Sequence, residues 1–129
     1  LAGLGEAARI CDDLAEIDYG QYEGLTTAQI RQTSPNWTVF THPCPSGESL
    51  ERAAERCARV IATAGGIDGQ VALFAHGHIL RILATVWLKL PPTEGRRLML
   101  DTGTMSILSH EHDTPAIKQW NCPAGLHSH

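Results

Sequence analysis

The stretch Val71-Ala72-Leu73-Phe74-Ala75-His76-Gly77-His78 decides how this chain is read. Five apolar residues of strand length run into a histidine and a glycine, and behind them Ile79, Leu80, Ile82, Leu83, Val86, Trp87 and Leu90 give a nearly all-round apolar helix. A strand that feeds a helix through a tight turn, both buried, is the unit of an α/β sheet. The expected fold class is therefore α/β, with helices covering a mostly parallel sheet. Ligands bind at the carboxyl edge of such sheets, where His76 is delivered. Gly77 lets the backbone approach a ligand, and the free N–H groups of the helix start suit a phosphate or another anion.

Upstream, Ser49 is a candidate N-cap. Leu50, Ala53, Ala54, Cys57, Val60, Ile61 and Ala64 follow at helical spacing, with Glu51, Arg52, Glu55, Arg56 and Arg59 on the other face and Gly65-Gly66 at the end. Thr26 and Gln29 match a capping box that starts a short helix over residues 27–33, ended by Pro35. Residues 6–14 read as a short strand. Pro35 to Gly47, with Pro35, Pro43, Pro45, Trp37 and Phe40, reads as a surface loop with a lid-like role. Downstream, Met105 to Leu108 and Ala116 to Trp120 are expected strands, joined as a hairpin through His110 to Pro115.

Composition bounds what such a domain does. The chain has 129 residues, is 43% hydrophobic and carries a formal net charge of -4 with no basic block, so nucleic acid is not an expected partner. No run reaches the ~20 apolar residues of a bilayer span, so no membrane partner is expected either. Cys11, Cys44, Cys57 and Cys122 lie far apart with no CxxC pair. Reduced thiols in a cytoplasmic setting are the expectation, with a Cys44–Cys122 bridge as the remote alternative. Homo-oligomerisation is left open. The sequence begins at Leu1 rather than methionine, and a truncated or cleaved polypeptide is expected.

The second chemical cluster is Leu14-Ala15-Glu16-Ile17-Asp18-Tyr19-Gly20-Gln21-Tyr22-Glu23-Gly24. General acid catalysis needs a carboxyl group that can hold a proton, which burial or bound phosphate favours. Glu16, after the expected strand, could supply it; Asp18 and Glu23 compete as acids, or all three are turn carboxylates. Ser46-Gly47-Glu48-Ser49 marks a loop-to-helix start from which Glu48 could orient a histidine or arginine, or simply favour the helix start. His76-x-His78 and His110-x-His112 could instead be metal pairs, though the first lies in a turn and the second beside a hairpin.

Together, Leu14 to Leu25, Gly47-Glu48-Ser49 and Phe74-Ala75-His76-Gly77-His78-Ile79-Leu80-Arg81 resemble the histidine phosphatase superfamily, also called the phosphoglycerate mutase-like family, in its acid-phosphatase-like branch. The resemblance runs from about Asp13 to Asn121. It implies a single domain with a three-layer α/β/α sandwich, and a phosphomonoester hydrolase that works through a phosphohistidine with no metal or other cofactor. By the resemblance, His76 would bind the transferred phosphoryl group and Glu16 would be the proton donor. Gly77 and Glu48 would line the site, and the backbone around Gly103 and Thr104 would close over the phosphate. The implied partner is a small-molecule phosphate ester or inorganic phosphate.

One departure matters: the family's nucleophile is the histidine of an Arg-His-Gly motif, and these 129 residues contain no Arg-His-Gly. A further phosphate-binding arginine is missing as well. The chain is thus expected to lack the N-terminal strand and helix of the domain and to be inactive alone. The alternatives are a mutase-type phosphoryl transfer, disfavoured by the short Leu25 to Ser46 interval, and an inactive anion-binding or complementing fragment.

Overall fold

Ser49 begins the longest helix in the computed structural model, which describes residues 9–123. Its hydroxyl accepts from the Arg52 N–H, and helix α2, Leu50–Gly65, buries Ala53, Cys57 and Val60 as its apolar stripe requires. Helix α1 spans Thr27–Arg31 behind the full Thr26/Gln29 capping box, two residues shorter than expected because the chain turns at Gln32 toward Pro35. Helix α3, Gly77–Trp87, buries Ile79, Ile82, Leu83, Ala84 and Thr85. It packs on α2 so closely that the Cys57 thiol meets the Ile79 carbonyl at 3.6 Å.

The sheet differs from expectation. Among the described residues it has two strands, β1 (Thr104–Glu111) and β2 (Thr114–Pro123), paired antiparallel from Glu111↔Thr114 to Thr104↔Pro123 with irregular register around Ile107. The hairpin is the one expected, but longer, and its turn shrinks to His112 and Asp113. Antiparallel strands close through so short a turn, whereas parallel ones need a crossover of a dozen or more residues. Trp87 fastens the hairpin to α3: its indole N–H is shared by the Ser109 and Ala116 carbonyls at 3.0 and 3.2 Å.

Residues 71–75, expected as a buried strand, belong to no ladder; Val71 and Phe74 are 39% and 71% exposed, while Leu73 and Ala75 are partly buried against the core. A parallel strand is buried by neighbouring strands, and among the described residues none pairs with this one. The strand expected at residues 6–14 is likewise absent in its described part. Asp12–Leu14 form a 3-10 turn, and residues 6–8 lie outside the described residues.

The Pro35 to Gly47 segment is irregular, as expected, yet it is not a surface lid. Trp37, Val39, Phe40 and Cys44 are buried and complete the core with Ile17, Ile30, Ala53, Cys57, Ile79 and Ile82. Prolines rule out regular structure there, while the aromatics supply the largest apolar surfaces near α2 and α3.

Candidate active site

Glu16 and His76 both stand at the start of α3. His76 is the N-cap residue, with extended backbone and an exposed side chain that makes no cap hydrogen bond. The missing cap is supplied from 60 residues away. Glu16 Oε2 accepts from the His78 N–H at 3.1 Å, and Oε1 accepts from the Ile79 N–H at 2.8 Å and its own neighbour Ile17 N–H at 3.0 Å. A carboxylate at a helix N-terminus satisfies the orphan donors and complements the dipole. The expected free N–H groups are therefore largely engaged by Glu16: His78 and Ile79 donate to it and Leu80 donates to the His76 carbonyl, which leaves the Gly77 N–H.

His78, which the sequence offers only as half of a metal pair, is the other histidine at this helix start. Its ring stands edge-on to Tyr19 and Phe40, with centroids 5.8 and 5.5 Å away. The Tyr19 hydroxyl lies 2.6 Å from His78 Nδ1. Burial pushes the Tyr19 phenol well above its ordinary range, with Glu16 and Glu23 adding to the effect. The phenol thus keeps its proton and is hydrogen-bonded to Nδ1. Burial also makes His78 a weaker base than usual, against the pull of Glu16 and with the push of Arg81. This arrangement does not make His78 half of a metal pair, and no three His, Cys, Asp or Glu side chains among the described residues are grouped to hold an ion.

Glu16 is held by a clamp. Arg56, expected on the polar face of α2, turns inward and donates from Nε and Nη2 to the two oxygens of Glu48 at 2.7 and 2.9 Å. Its Nη1 donates to the Asp13 and Ala15 carbonyls at 2.7 and 2.9 Å. The Glu48 hydrogen bond raises the Arg56 pKa despite partial burial. Glu48 thus orients an arginine, as the sequence allowed. That arginine grips the segment leading into Glu16 rather than a substrate.

On the other side of Glu16, Glu48 N–H donates to the Asp18 carbonyl and Gln21 N–H to the Pro45 carbonyl, at 2.9 and 2.8 Å. The two turns touch at Gly20, whose φ is +57° and whose added Cβ would lie 2.2 Å from the Pro45 oxygen. Only glycine fits there. Asp18 and Glu23, the competing acids, serve this turn: Asp18 Oδ1 accepts from the Gly20 N–H at 2.8 Å and Glu23 Oε2 from the Tyr19 N–H at 3.3 Å.

Gly103 and Thr104 sit at the entry to β1. Gly103 has φ +73°, and the Thr104 hydroxyl donates to the Asp101 carbonyl at 2.8 Å. That loop hangs on Asn121, whose side chain accepts from the Asp101 N–H and donates to the Asp101 carboxylate. Its hydrogen bonds run to β2 and not to Glu16 or His76.

Comparison with known proteins gives the same family as the motifs. The family model described as Histidine phosphatase superfamily (branch 1) matches residues 1–123. An acid phosphatase of Mycobacterium tuberculosis is 45% identical over 114 residues, covering 87% of this chain and 56% of its own length. A sedoheptulose 1,7-bisphosphatase of Saccharomyces cerevisiae is 31% identical, covering 61% of this chain and 35% of its own. Among solved structures, a Mycobacterium tuberculosis open reading frame product superposes with TM-score 0.80 at 40% identity, over 86% of this chain and 58% of that one. A mycobacterial glucosyl-3-phosphoglycerate phosphatase in complex with inorganic phosphate does so with TM-score 0.79 at 27% identity, over 98% and 72%. The chain thus spans about half, or less, of the curated relatives it matches.

Proposed function

We propose that this chain, which belongs to the histidine phosphatase superfamily, carries the acid and one phosphate-binding histidine of a phosphomonoester hydrolase that works through a phosphohistidine. The α/β fold and the phosphatase relatives carry the coarse reading. The observation that carries the fine one is that the Glu16 carboxylate caps, from some 60 residues away, the helix whose N-cap residue is His76.

In this reading a nucleophilic histidine that is not among the seven of this sequence attacks phosphorus. The bond from phosphorus to the ester oxygen breaks, and Glu16 gives its proton to the departing alcohol. Water then attacks the phosphohistidine while Glu16 takes a proton from it, and phosphate leaves. His76 and the Gly77 N–H face the phosphoryl oxygens and offset their charge. Glu16 must leave the His78 and Ile79 N–H groups to reach the leaving oxygen, and a phosphoryl oxygen is the natural replacement on those donors.

Around this site, residues 71–75 take their place in the parallel sheet of a three-layer sandwich, Gly103 and Thr104 close over the phosphate, and the free cysteines suit a reducing cytoplasm. Hydrolysis is preferred over mutase transfer because the relatives named above are phosphatases. The 129 residues alone should be inactive.

The full-length gene product should release phosphate from phosphomonoesters at the same rate with and without EDTA, and His76→Ala should weaken vanadate binding measured by calorimetry. Loss of turnover on chelation, or vanadate affinity unmoved by His76→Ala, would reject the assignment.

A further inference from the structure

Among the described residues, three hydrogen bonds tie the segment around Glu16, residues 9–25, to α3. Two are made by the Glu16 carboxylate itself, with the His78 and Ile79 N–H groups at 3.1 and 2.8 Å. The third joins the Tyr19 hydroxyl to His78 Nδ1 at 2.6 Å. Proton transfer by Glu16 breaks the first two, because the carboxyl group must leave the helix start to reach the leaving oxygen. Only the Tyr19–His78 bond then still links the segment to α3. The other holds on the segment run elsewhere: Arg56 of α2 grips the Asp13 and Ala15 carbonyls, and the Glu48 N–H donates to the Asp18 carbonyl.

Both ends of that bond are fixed. Tyr19 stands three residues after Glu16, and its carbonyl accepts from the Tyr22 N–H at 3.0 Å in the turn that Gly20 fits against Pro45. The His78 ring is backed edge-on by Phe40, which is only 3% exposed. We propose that Tyr19 and His78 are positioning residues for the acid: their side-chain bond keeps the Glu16 segment in register with α3 while the carboxyl group is off the helix start. Glu16 then reaches the leaving oxygen by rotation of its own side chain and not by drift of its segment. The proposal rests on the reading of Glu16 as the proton donor. Neither Tyr19 nor His78 touches the substrate in this role. A misplaced acid costs rate, and the cost falls on substrates whose leaving group needs the proton.

Steady-state kinetics of the full-length gene product, on an alkyl phosphate and on p-nitrophenyl phosphate, tests this. Tyr19→Phe keeps the ring and deletes the bond. It should lower kcat for the alkyl phosphate by about threefold to tenfold, the worth of one hydrogen bond, leave KM in place, and lower kcat for p-nitrophenyl phosphate far less. His78→Leu should do the same. Tyr19→Phe/His78→Leu should do no more than either change alone, because one bond is lost in all three. His78→Asn, which presents an amide near the position of Nδ1, should recover part of the loss.

Equal losses on the two substrates, additive effects of Tyr19→Phe and His78→Leu, or no recovery in His78→Asn would overturn the proposal. So would a raised KM with kcat intact, which would put the hydroxyl on the substrate. Leaving-group dependence in Glu16→Gln but not in Tyr19→Phe would reject the positioning pair alone. Its absence from Glu16→Gln would reject the proton donor and the pair together.

Discussion

Glu16→Gln should slow hydrolysis of alkyl phosphates by the full-length gene product by about 10² to 10⁴, yet slow p-nitrophenyl phosphate far less. An alkoxide is a poor leaving group and needs a proton in the transition state, whereas p-nitrophenolate departs without one. The substitution keeps the size of the side chain but removes the transferable proton. It also changes the cap of α3, because an amide accepts from the His78 and Ile79 N–H groups through one oxygen where the carboxylate offers two. A purely structural loss would lower both substrates together, so the difference between them isolates the acid. Asp18→Asn and Glu23→Gln should show no such difference, since those carboxylates accept from N–H groups of the turn. A leaving-group dependence found in either of them, and not in Glu16, would move the proton donor there.

Arg56→Leu should destabilise the protein by about 2–4 kcal/mol, somewhat less than the cost of breaking a fully buried ion pair from one side. Arg56 and Glu48 are each only 14% exposed, so solvent compensates little. The substitution leaves the Glu48 carboxylate without its cation, and the Asp13 and Ala15 carbonyls without their donor. Removing both charges in Arg56→Leu/Glu48→Leu should cost less than the sum of the single changes, because no unpaired charge remains. The neighbouring Arg59–Asp13 pair holds the same segment from the exposed side, where solvent screens it, and its loss should matter much less. Denaturant midpoints at unchanged slope measure both effects. A loss below 1 kcal/mol for Arg56→Leu, or strict additivity in the pair, would show that the clamp does not hold the Glu16 segment.

These two tests divide along what was readable in the sequence. The cap and stripe of α2, the capping box of α1 and the hairpin were legible because each is a local pattern: a side-chain oxygen three residues ahead of an N–H, a 3.6-residue repeat, or apolar strands flanking a short turn. The family motifs singled out Glu16 and His76 as candidates, and the fold brings both to the start of one helix. That Glu16 caps α3 was not legible, because a carboxylate that caps a helix from 60 residues away leaves no spacing to read.

Arg56 was misplaced for a related reason. Helical periodicity puts it on the polar face, and only the fold shows that two carbonyls and Glu48 draw it in. Trp37 and Phe40 fell in a proline-rich stretch where no period distinguishes core from surface. Residues 71–75 have the apolar run of a buried strand, but a parallel strand is buried by neighbouring strands, and none pairs with it among the described residues.

The central claim is tested most directly by trapping the intermediate. The full-length gene product, mixed with a phosphomonoester and quenched in base within a turnover, should carry phosphate on a histidine. By peptide mapping that histidine should lie outside the 129 residues, and the label should be lost in acid. Phosphate found on His76, His78 or any other residue of this chain, or on a serine or carboxylate anywhere in the protein, would contradict the account.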